Sequence, residues 1–344
     1  MTVFVIMYVL MILSWAMSLS LSQQKRSMVI CITAFLVLWL IQTFRAYDIG
    51  VDIPGYINGF LRANYPIKSE TEIGYYAFIN ILRSVTDNPT IFLSIISATF
   101  LLPLTFIFRK FSAIPILSFI IIASFVLYIF SFSALRQTMA IGITTLSYYF
   151  IYKKKILPHY LLVYLATLFH SSAVIFVIAY PLCNYAKISK KAYCYIFTVF
   201  IICLFSLKSI VIWLLPMIFE NDTYLNYIDE DAGMAYNLAI LIFLFFIFTF
   251  FNRKPTQNDL NFQKLVFCAM MCQCLGLISP VAPRVGFYFF VYIALALPNT
   301  VYSIRAMNIR NLAGISLSLF MIYFFFSKYT NGYLNVIPYS FVWD

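Results

Sequence analysis

Charged residues are scarce in this chain of 344 residues: Asp, Glu, Lys and Arg together make up only 10% of it. A soluble domain carries roughly 25% charged residues. Hydrophobic residues reach 63%, and the mean hydropathy is +0.91. This composition excludes a water-soluble globule, a coiled coil and a disordered chain, and it indicates an integral membrane protein.

Several other signals are missing. Residues 1–21 hold no charge, so the basic region of a cleaved signal peptide is absent, and we treat 2–21 as a first span. The seven cysteines lack paired CxxC spacing, so no metal site is predicted. No glycine-rich phosphate loop follows a strand, no internal repeat is evident, and no cofactor is expected. Long apolar runs such as 238–251 do not alternate with polar residues, as barrel strands would.

The apolar runs predict membrane-spanning helices, each of which needs about 20 apolar residues. Their approximate bounds are 2–21, 28–44, 90–108, 114–131, 134–152, 156–169, 173–186, 192–219, 234–251, 265–282, 285–304 and 311–328. The sequence thus predicts an all-α polytopic membrane protein with about twelve transmembrane helices, some of them short or broken. All belong to a single transmembrane domain over 1–344. The two shortest, 156–169 and 173–186, are expected to form a hairpin with His170 at its tip.

The basic residues predict the topology. Every second connector between spans is rich in lysine and arginine: Lys25, Arg26, Arg109, Lys110, Lys153, Lys154, Lys155, Lys187, Lys190, Lys191, Arg253, Lys254, Lys264, Arg305 and Arg310. The positive-inside rule makes these connectors cytoplasmic. The 45–89 segment, with an interfacial helix from Glu72 to Arg83, and the acidic 220–233 loop then face outwards. The net charge of +11 is explained by this topology, and no nucleic-acid partner is expected.

Ionisable side chains collect near the predicted outer ends of the spans. The main ones are Arg45, Asp52, Glu72, Arg136, His170 and Arg284. A charge at a span costs several kcal/mol and tends to be functional. Arginine suits a phosphate ester, since its planar fork gives paired hydrogen bonds, and histidine can take a proton from a hydroxyl. Converging arginines beside a base predict transfer from a pyrophosphate-activated donor to an alcohol.

Each of these residues also has a simpler interpretation. The arginines can be interfacial anchors, and His170 can be a hydrogen-bonded buried histidine. Asp52 can cap its loop, and Glu72 can complement a helix dipole. At the level of function, a flippase or another transporter is an alternative, although transporters place ionisable groups near the membrane midplane. An O-antigen ligase, which uses the same class of lipid donor, is a second alternative.

Six short motifs occur in order along the chain: Arg45…Gly50-x-Asp52…Tyr56…Phe60, Glu72-x-Gly74-Tyr75, Leu135-Arg136-Gln137-x-x-Ala140, Phe169-His170-x-Ser172-Ala173, Arg284…Tyr288, and Pro338-Tyr339. This ordered set resembles the EpsG/Wzy-type polysaccharide polymerases over nearly the whole chain. It departs from that pattern after Asp52, where Ile53 and Pro54 replace the frequent tyrosine.

The resemblance implies polymerisation of undecaprenyl-pyrophosphate-linked repeat units into O-antigen, capsule or exopolysaccharide. The reaction would occur at the outer leaflet of a bacterial inner membrane, without a metal and with loss of polyprenyl pyrophosphate. The expected partners are the lipid-linked glycans, membrane lipids and a chain-length regulator.

The residues and the resemblance together predict a site. His170 is expected to be the base, and Asp52 and Glu72 bind sugar hydroxyls or orient it; either carboxylate could replace His170. The residues expected to bind pyrophosphate or sugar are Arg45, Arg136, Gln137, Arg284, Tyr56, Tyr75 and Tyr288. We expect Arg45, Arg136, His170 and Arg284 to converge in one pocket.

Overall fold

A computed structural model describes residues 1–62, 72–218, 232–252, 254–277, 282–330 and 332–344. Within these ranges the chain forms helices and turns, with one isolated antiparallel bridge between Arg45 and Phe341. The all-α prediction is confirmed. Residues 220–231 of the predicted acidic loop and residues 63–71 of the predicted 45–89 loop lie outside the described ranges.

The helices follow the predicted apolar segments. The α-helices of the described chain are α1 (Thr2–Met17), α2 (Gln23–Thr43), α3 (Ile53–Leu61), α4 (Ile73–Arg83), α5 (Pro89–Phe111), α6 (Pro115–Ser124), α7 (Val126–Phe130), α8 (Leu135–Tyr152), α9 (Ile156–Phe169), α10 (Ala179–Asn184), α11 (Lys190–Ile218), α12 (Ala232–Phe251), α13 (Gln257–Cys274), α14 (Phe287–Phe290), α15 (Ile293–Tyr302) and α16 (Met307–Tyr329). Short 3-10 helices cover Ser171–Ile178, Leu275–Leu277, Ala282–Gly286 and Tyr333–Asn335. Several predicted spans are therefore broken into two shorter helices.

Length and hydropathy identify three helices of the described chain as able to cross a membrane alone, namely α2, α5 and α16. A fourth crossing is possible if the helical stretches 282–290 and 293–302, bent by 42° at their junction, act as one span. The apolar helices α1, α6 and α9 are shorter. A polytopic membrane protein is consistent with this pattern, and the number of twelve crossings stays a prediction.

Two breaks place polar groups at one end of the molecule. The first separates α6 from α7 at Phe125, and every residue from 116 to 133 is buried, so this broken helix runs through the core. It leads directly into α8. The second break is at His170, whose backbone is extended. The His159 and Tyr180 rings lie 5.6 Å apart, because the chain reverses at His170 and forms the expected hairpin.

Helix packing brings the flanking segments to the same end. Helix α5 packs between α2 and α8, and α8 packs against α9. Helix α3 packs on α5, and α4 packs on α9. In α4 the buried residues are Tyr75, Ile79 and Leu82, so one apolar face of this helix packs on the bundle. The starts of α3, α4 and α8 therefore meet at the tip of the hairpin.

Candidate active site

The close approach of α4 to α9 positions the first two site residues. A Cβ atom on Gly74 would lie 2.7 Å from the Cβ of Leu168, so only glycine permits this contact. Glu72 lies two residues before Gly74, and His170 lies two residues after Leu168. The crossing of the two helices therefore sets the Glu72 carboxylate beside the His170 ring.

Glu72 bridges two cationic or basic side chains. His170 donates a hydrogen bond from Nδ1 to Glu72 Oε1, at 2.6 Å, and Arg136 Nη1 donates to Glu72 Oε2. The Glu72 side chain is only 8% exposed, whereas that of His170 is 29% exposed. Although Glu72 occupies the N-cap position of α4, its side chain makes no capping hydrogen bond. The carboxylate therefore accepts hydrogen bonds from these two side chains and does not cap the helix.

The backbone at Glu72 is in the left-handed region, with φ of 69°. For a residue with a side chain this conformation costs roughly 1–3 kcal/mol, and such residues cluster at functional sites. The surrounding contacts with His170 and Arg136 hold Glu72 there.

The electrostatics keep Glu72 ionised. Burial disfavours its charge, but the hydrogen bond from His170 and the charge of Arg136 outweigh burial and hold the pKa of Glu72 below its ordinary value. An ionised carboxylate only accepts hydrogen bonds, so Nδ1 of His170 must carry the proton. When the ring is neutral, Nε2 is then the nitrogen with a free electron pair, which is the form needed in a base.

Arg136 lies between the carboxylate and two tyrosines. Its Nε donates to the Tyr56 hydroxyl at 3.2 Å, and its guanidinium carbon lies 5.7 Å from the centre of the Tyr56 ring and 5.9 Å from that of Tyr75. The two rings meet edge to face at 5.9 Å. Burial raises the pKa of Tyr56 although the Arg136 charge opposes it, so the hydroxyl stays neutral. Arg136 thus connects α3, α4 and α8.

A cavity of about 480 Å³ opens beside this cluster. Its lining residues are Val51, Asp52, Gly55, Tyr56, Gly59, Tyr75, Tyr76, Ile79 and Arg136. The volume is typical of a small-ligand site. Asp52 precedes α3 but makes no side-chain capping hydrogen bond, so its exposed carboxylate is available to a ligand. The Tyr75 hydroxyl is buried and has no hydrogen-bond partner in the described part of the chain.

A second polar group lies next to the first. Gln137 Nε2 donates to the Arg284 carbonyl oxygen at 2.8 Å, and the hydroxyls of Ser172 and Tyr288 are 2.9 Å apart. Gln137 directly follows Arg136 in the chain, and Ser172 lies two residues after His170. The second group is therefore carried by the same two segments as the first. The guanidinium of the exposed Arg284 lies 5.8 Å from the Phe130 ring centre and forms no ion pair with any described residue.

Arg45 lies apart from the cavity. It is 0% exposed, its guanidinium carbon lies 4.9 Å from the centre of the Phe132 ring, and it does not line the cavity. None of its three guanidinium nitrogens has a hydrogen-bond partner in the described ranges. The expected convergence of three arginines therefore does not include Arg45, because the chain packs over it. Arg136 and His170 both donate hydrogen bonds to Glu72. Arg284 is linked to Arg136 through Gln137, the next residue in the chain, which donates to the Arg284 carbonyl.

Two features of the site were not predicted. Tyr76 lines the cavity together with Tyr75, and Ser172 contacts Tyr288, yet neither residue had been given a role. The sequence did carry signals for both, since Tyr76 adjoins Tyr75 and Ser172 is part of the motif around His170. Tyr288, expected to bind substrate, is fully buried, so it supports Ser172 rather than lining the cavity.

The family comparison covers all of these residues. The model of the EpsG family matches residues 28–341. The chain belongs to the EpsG family. EpsG-family proteins are Wzy-type polysaccharide polymerase-like, which indicates a polymerase or glycosyltransferase-type activity for this member and confirms the resemblance drawn from the motifs. Comparisons with curated proteins and with solved structures gave no significant match.

Proposed function

We propose that this EpsG-family protein joins polyprenyl-pyrophosphate-linked oligosaccharide repeat units into a polysaccharide. The reaction takes place at the outer face of a bacterial cytoplasmic membrane, and undecaprenyl pyrophosphate is the carrier. The observation that carries the proposal is the buried Glu72 carboxylate, which orients His170 and also pairs with Arg136, a residue that lines an aromatic cavity.

In this mechanism His170 is the base. A hydroxyl of the acceptor sugar attacks the anomeric carbon of the donor and passes its proton to Nε2 of His170. The bond from the anomeric carbon to the pyrophosphate oxygen breaks, and its electron pair leaves with the polyprenyl pyrophosphate. Glu72 holds the ring through Nδ1 and stabilises the imidazolium that forms.

The cavity suits a sugar better than a pyrophosphate. The positive charge of Arg136 is offset by Glu72, and Asp52 adds a further negative charge at the rim. A doubly charged anion would be repelled from such a site. Tyrosine rings and unpaired oxygen atoms, by contrast, can pack on a sugar ring and bond its hydroxyls. The exposed Asp52 carboxylate and the lining tyrosine rings are the groups available for this.

Arg284 is the candidate ligand of the donor pyrophosphate. It is exposed, and no described carboxylate pairs with it. The hydrogen bond from Gln137 to the Arg284 carbonyl holds the Arg284 backbone against the residue that follows Arg136. A phosphate bound at Arg284 would therefore lie near Glu72, Arg136 and His170. A planar guanidinium can give two parallel hydrogen bonds to a phosphate and stabilise the charge of the leaving group.

The test is a matched pair of histidine variants in cells whose own copy of the gene is deleted. The chain has two histidines, and both lie on the same hairpin. We expect His170→Gln to stop chain growth and leave single repeats, with a rate loss of roughly 10²–10⁴-fold. His159→Gln, compared at equal protein amount, should retain chain growth, because His159 lies inside the hairpin away from the cavity.

The glycan products separate the alternatives. Full-length polymer ladders from His170→Gln would overturn the proposed base. Accumulation of long lipid-linked chains that are never transferred, when the gene is deleted, would indicate a ligase. Accumulation of single repeats at the inner leaflet alone would indicate a flippase.

A further inference from the structure

Two motif residues, Arg45 and Tyr339, do not line the cavity, and the segments that carry them contact each other. Residues 335–342, here called the strap, run along residues 44–51, here called the bridge loop. Ala46 N donates to Ser340 O at 3.0 Å, Val342 N donates to Phe44 O at 2.9 Å, and the two segments form the antiparallel bridge at Arg45. The strap therefore pairs with a loop almost 300 positions earlier in the chain.

Side chains strengthen this pairing. The Tyr339 hydroxyl donates to Ile41 O at 2.7 Å, which ties the strap to the last turn of α2. Val336 and Ile337 are buried in the core. Gly50 N, at the far end of the bridge loop, donates to Asn335 O at 3.3 Å. Both ends of the bridge loop are thus held by the strap.

The opposite side of the bridge loop rests on the turn between α7 and α8. Val51 N donates to Ser133 Oγ at 3.1 Å, and the Arg45 guanidinium lies over the Phe132 ring. Gly50 has a φ of 102°, which a side chain would disfavour, and it sits against the carbonyl of Phe132. The bridge loop is therefore clamped between the strap and the 131–134 turn.

Both clamped segments run directly into the site. The bridge loop leads into Asp52 and the helix that carries Tyr56, and the 131–134 turn leads into Arg136. The Tyr56–Arg136 hydrogen bond joins the two segments across the cavity wall. Any shift of the bridge loop over the turn would change the spacing of these residues.

We propose that Arg45 and Tyr339 are positioning residues of the polymerase site: the strap closes permanently over Arg45 and holds the bridge loop against the 131–134 turn. This inference rests on the proposed function, since it assigns these residues to the same site. Arg45 acts from its buried position between the strap and the 131–134 turn, through its contact with Phe132, and does not bind the pyrophosphate. A fully buried guanidinium that no ligand can reach fits this role.

The sharpest test locks the strap with a disulfide. Ala46 and Ser340 are opposite each other in the register of the antiparallel pairing, and Ala46 N donates to Ser340 O. Directly opposite residues of such a pair have Cα atoms roughly 5.5 Å apart, which is within the range of a disulfide. We expect the variant Ala46→Cys/Ser340→Cys to polymerise equally fast when oxidised and when reduced. Loss of activity on oxidation, with recovery on reduction, would overturn the proposal, because it would mean that the strap opens to admit substrate to Arg45.

A kinetic test separates positioning from ligand binding and from folding. Arg45→Met keeps most of the side-chain volume but removes the contact between the cation and the ring. We expect the KM for the lipid-linked repeat to rise roughly tenfold, with kcat within about twofold, because the cavity is displaced while the chemistry is retained. Tyr339→Phe should raise KM by a smaller factor in the same direction. Arg83→Met, at the same end but outside the clamp, is the control.

The other outcomes are distinct. A large fall in kcat for Arg45→Met at unchanged KM would overturn the proposal, because it would indicate that Arg45 binds the pyrophosphate leaving group. Wild-type KM and kcat in Arg45→Met would also overturn it. If the reduced double-cysteine protein and the unmodified protein both fail to make polymer, the proposed function itself fails.

Discussion

Two carboxylates of the molecule, those of Glu72 and Asp259, are both largely hidden from solvent: the Glu72 side chain is 8% exposed, and Asp259 as a whole residue is also 8% exposed. Their partners differ. Asp259 Oδ2 accepts from Thr256 N and Thr256 Oγ1, both at 2.8 Å, and Oδ1 accepts from Asn299 Nδ2 at 2.9 Å. All of these donors are neutral. The Glu72 oxygens instead accept from a histidine and an arginine beside an open cavity.

The difference shows which carboxylate is structural. Thr256 and Asp259 form a capping box at the start of α13, and Asn299 links that helix to the end of α5 through Ala113 N and Phe111 O. This network satisfies backbone groups and joins three helices. Glu72 satisfies no backbone group at its helix and sits in a strained backbone conformation. Burial alone would not separate the two roles, whereas the partners do.

The largest expected effect is that of Glu72→Gln on catalysis. The amide removes the charge that orients His170 and pairs with Arg136, so the polymerisation rate per folded molecule should fall roughly 10²–10⁴-fold. The rate is measured with purified protein in proteoliposomes and a lipid-linked repeat. Asp87→Asn, which removes the exposed carboxylate of the Arg83–Asp87 pair, should leave the rate unchanged. Equal rates for Glu72→Gln and the unmodified protein would remove the distinction between the two carboxylates.

Arg136→Lys should have the next largest effect. A lysine keeps the charge but cannot bond Glu72 and Tyr56 together through one planar group. We expect a rate loss of roughly 10- to 100-fold at an unchanged protein amount. Full activity would mean that only the charge matters at this position, and the geometry of the cluster would then be irrelevant.

Asp259→Ala should act on stability instead. It leaves the side chains of Thr256 and Asn299 without their acceptor, which should lower the free energy of unfolding by about 1–3 kcal/mol. Thermal unfolding in detergent measures this loss, and Asp259→Asn, which keeps one acceptor oxygen, should lose less. The polymerisation rate per folded molecule should stay at the level of the unmodified protein; a specific fall in that rate would contradict the structural assignment.

The smallest effect is a pH dependence of stability. The pKa of Glu72 is held below its ordinary value of 4.5, so the stabilisation from its pairs is complete above that pH and is lost as the pH falls through the lowered pKa. The difference in thermal stability between the unmodified protein and Glu72→Gln should therefore not shrink between about pH 7 and 5, and should shrink only at lower pH. A difference that already shrinks above about pH 5 would mean that Glu72 is not held ionised.

The sequence predicted the helices and the hairpin tip because apolar runs and basic connectors are local signals. The ordered motifs also grouped Glu72, Arg136 and His170 in one candidate site. The pairing of Arg45 with the strap was not predictable, since it joins segments at opposite ends of the chain through backbone hydrogen bonds that leave no periodic pattern. For Glu72 the sequence left open whether it binds sugar hydroxyls, orients His170 or is itself the base, and it gave no role to Asp259, because both roles depend on which partners the fold supplies.

The central claim is that Glu72 acts through His170, and a double-mutant cycle tests it most directly. Polymerisation rates are compared for Glu72→Gln, His170→Gln and the double variant, at equal amounts of folded protein. If the two residues act as one unit, the double variant should be no more than about twofold slower than the slower single variant. Losses that multiply in the double variant would show that the two residues act independently, and would contradict the account.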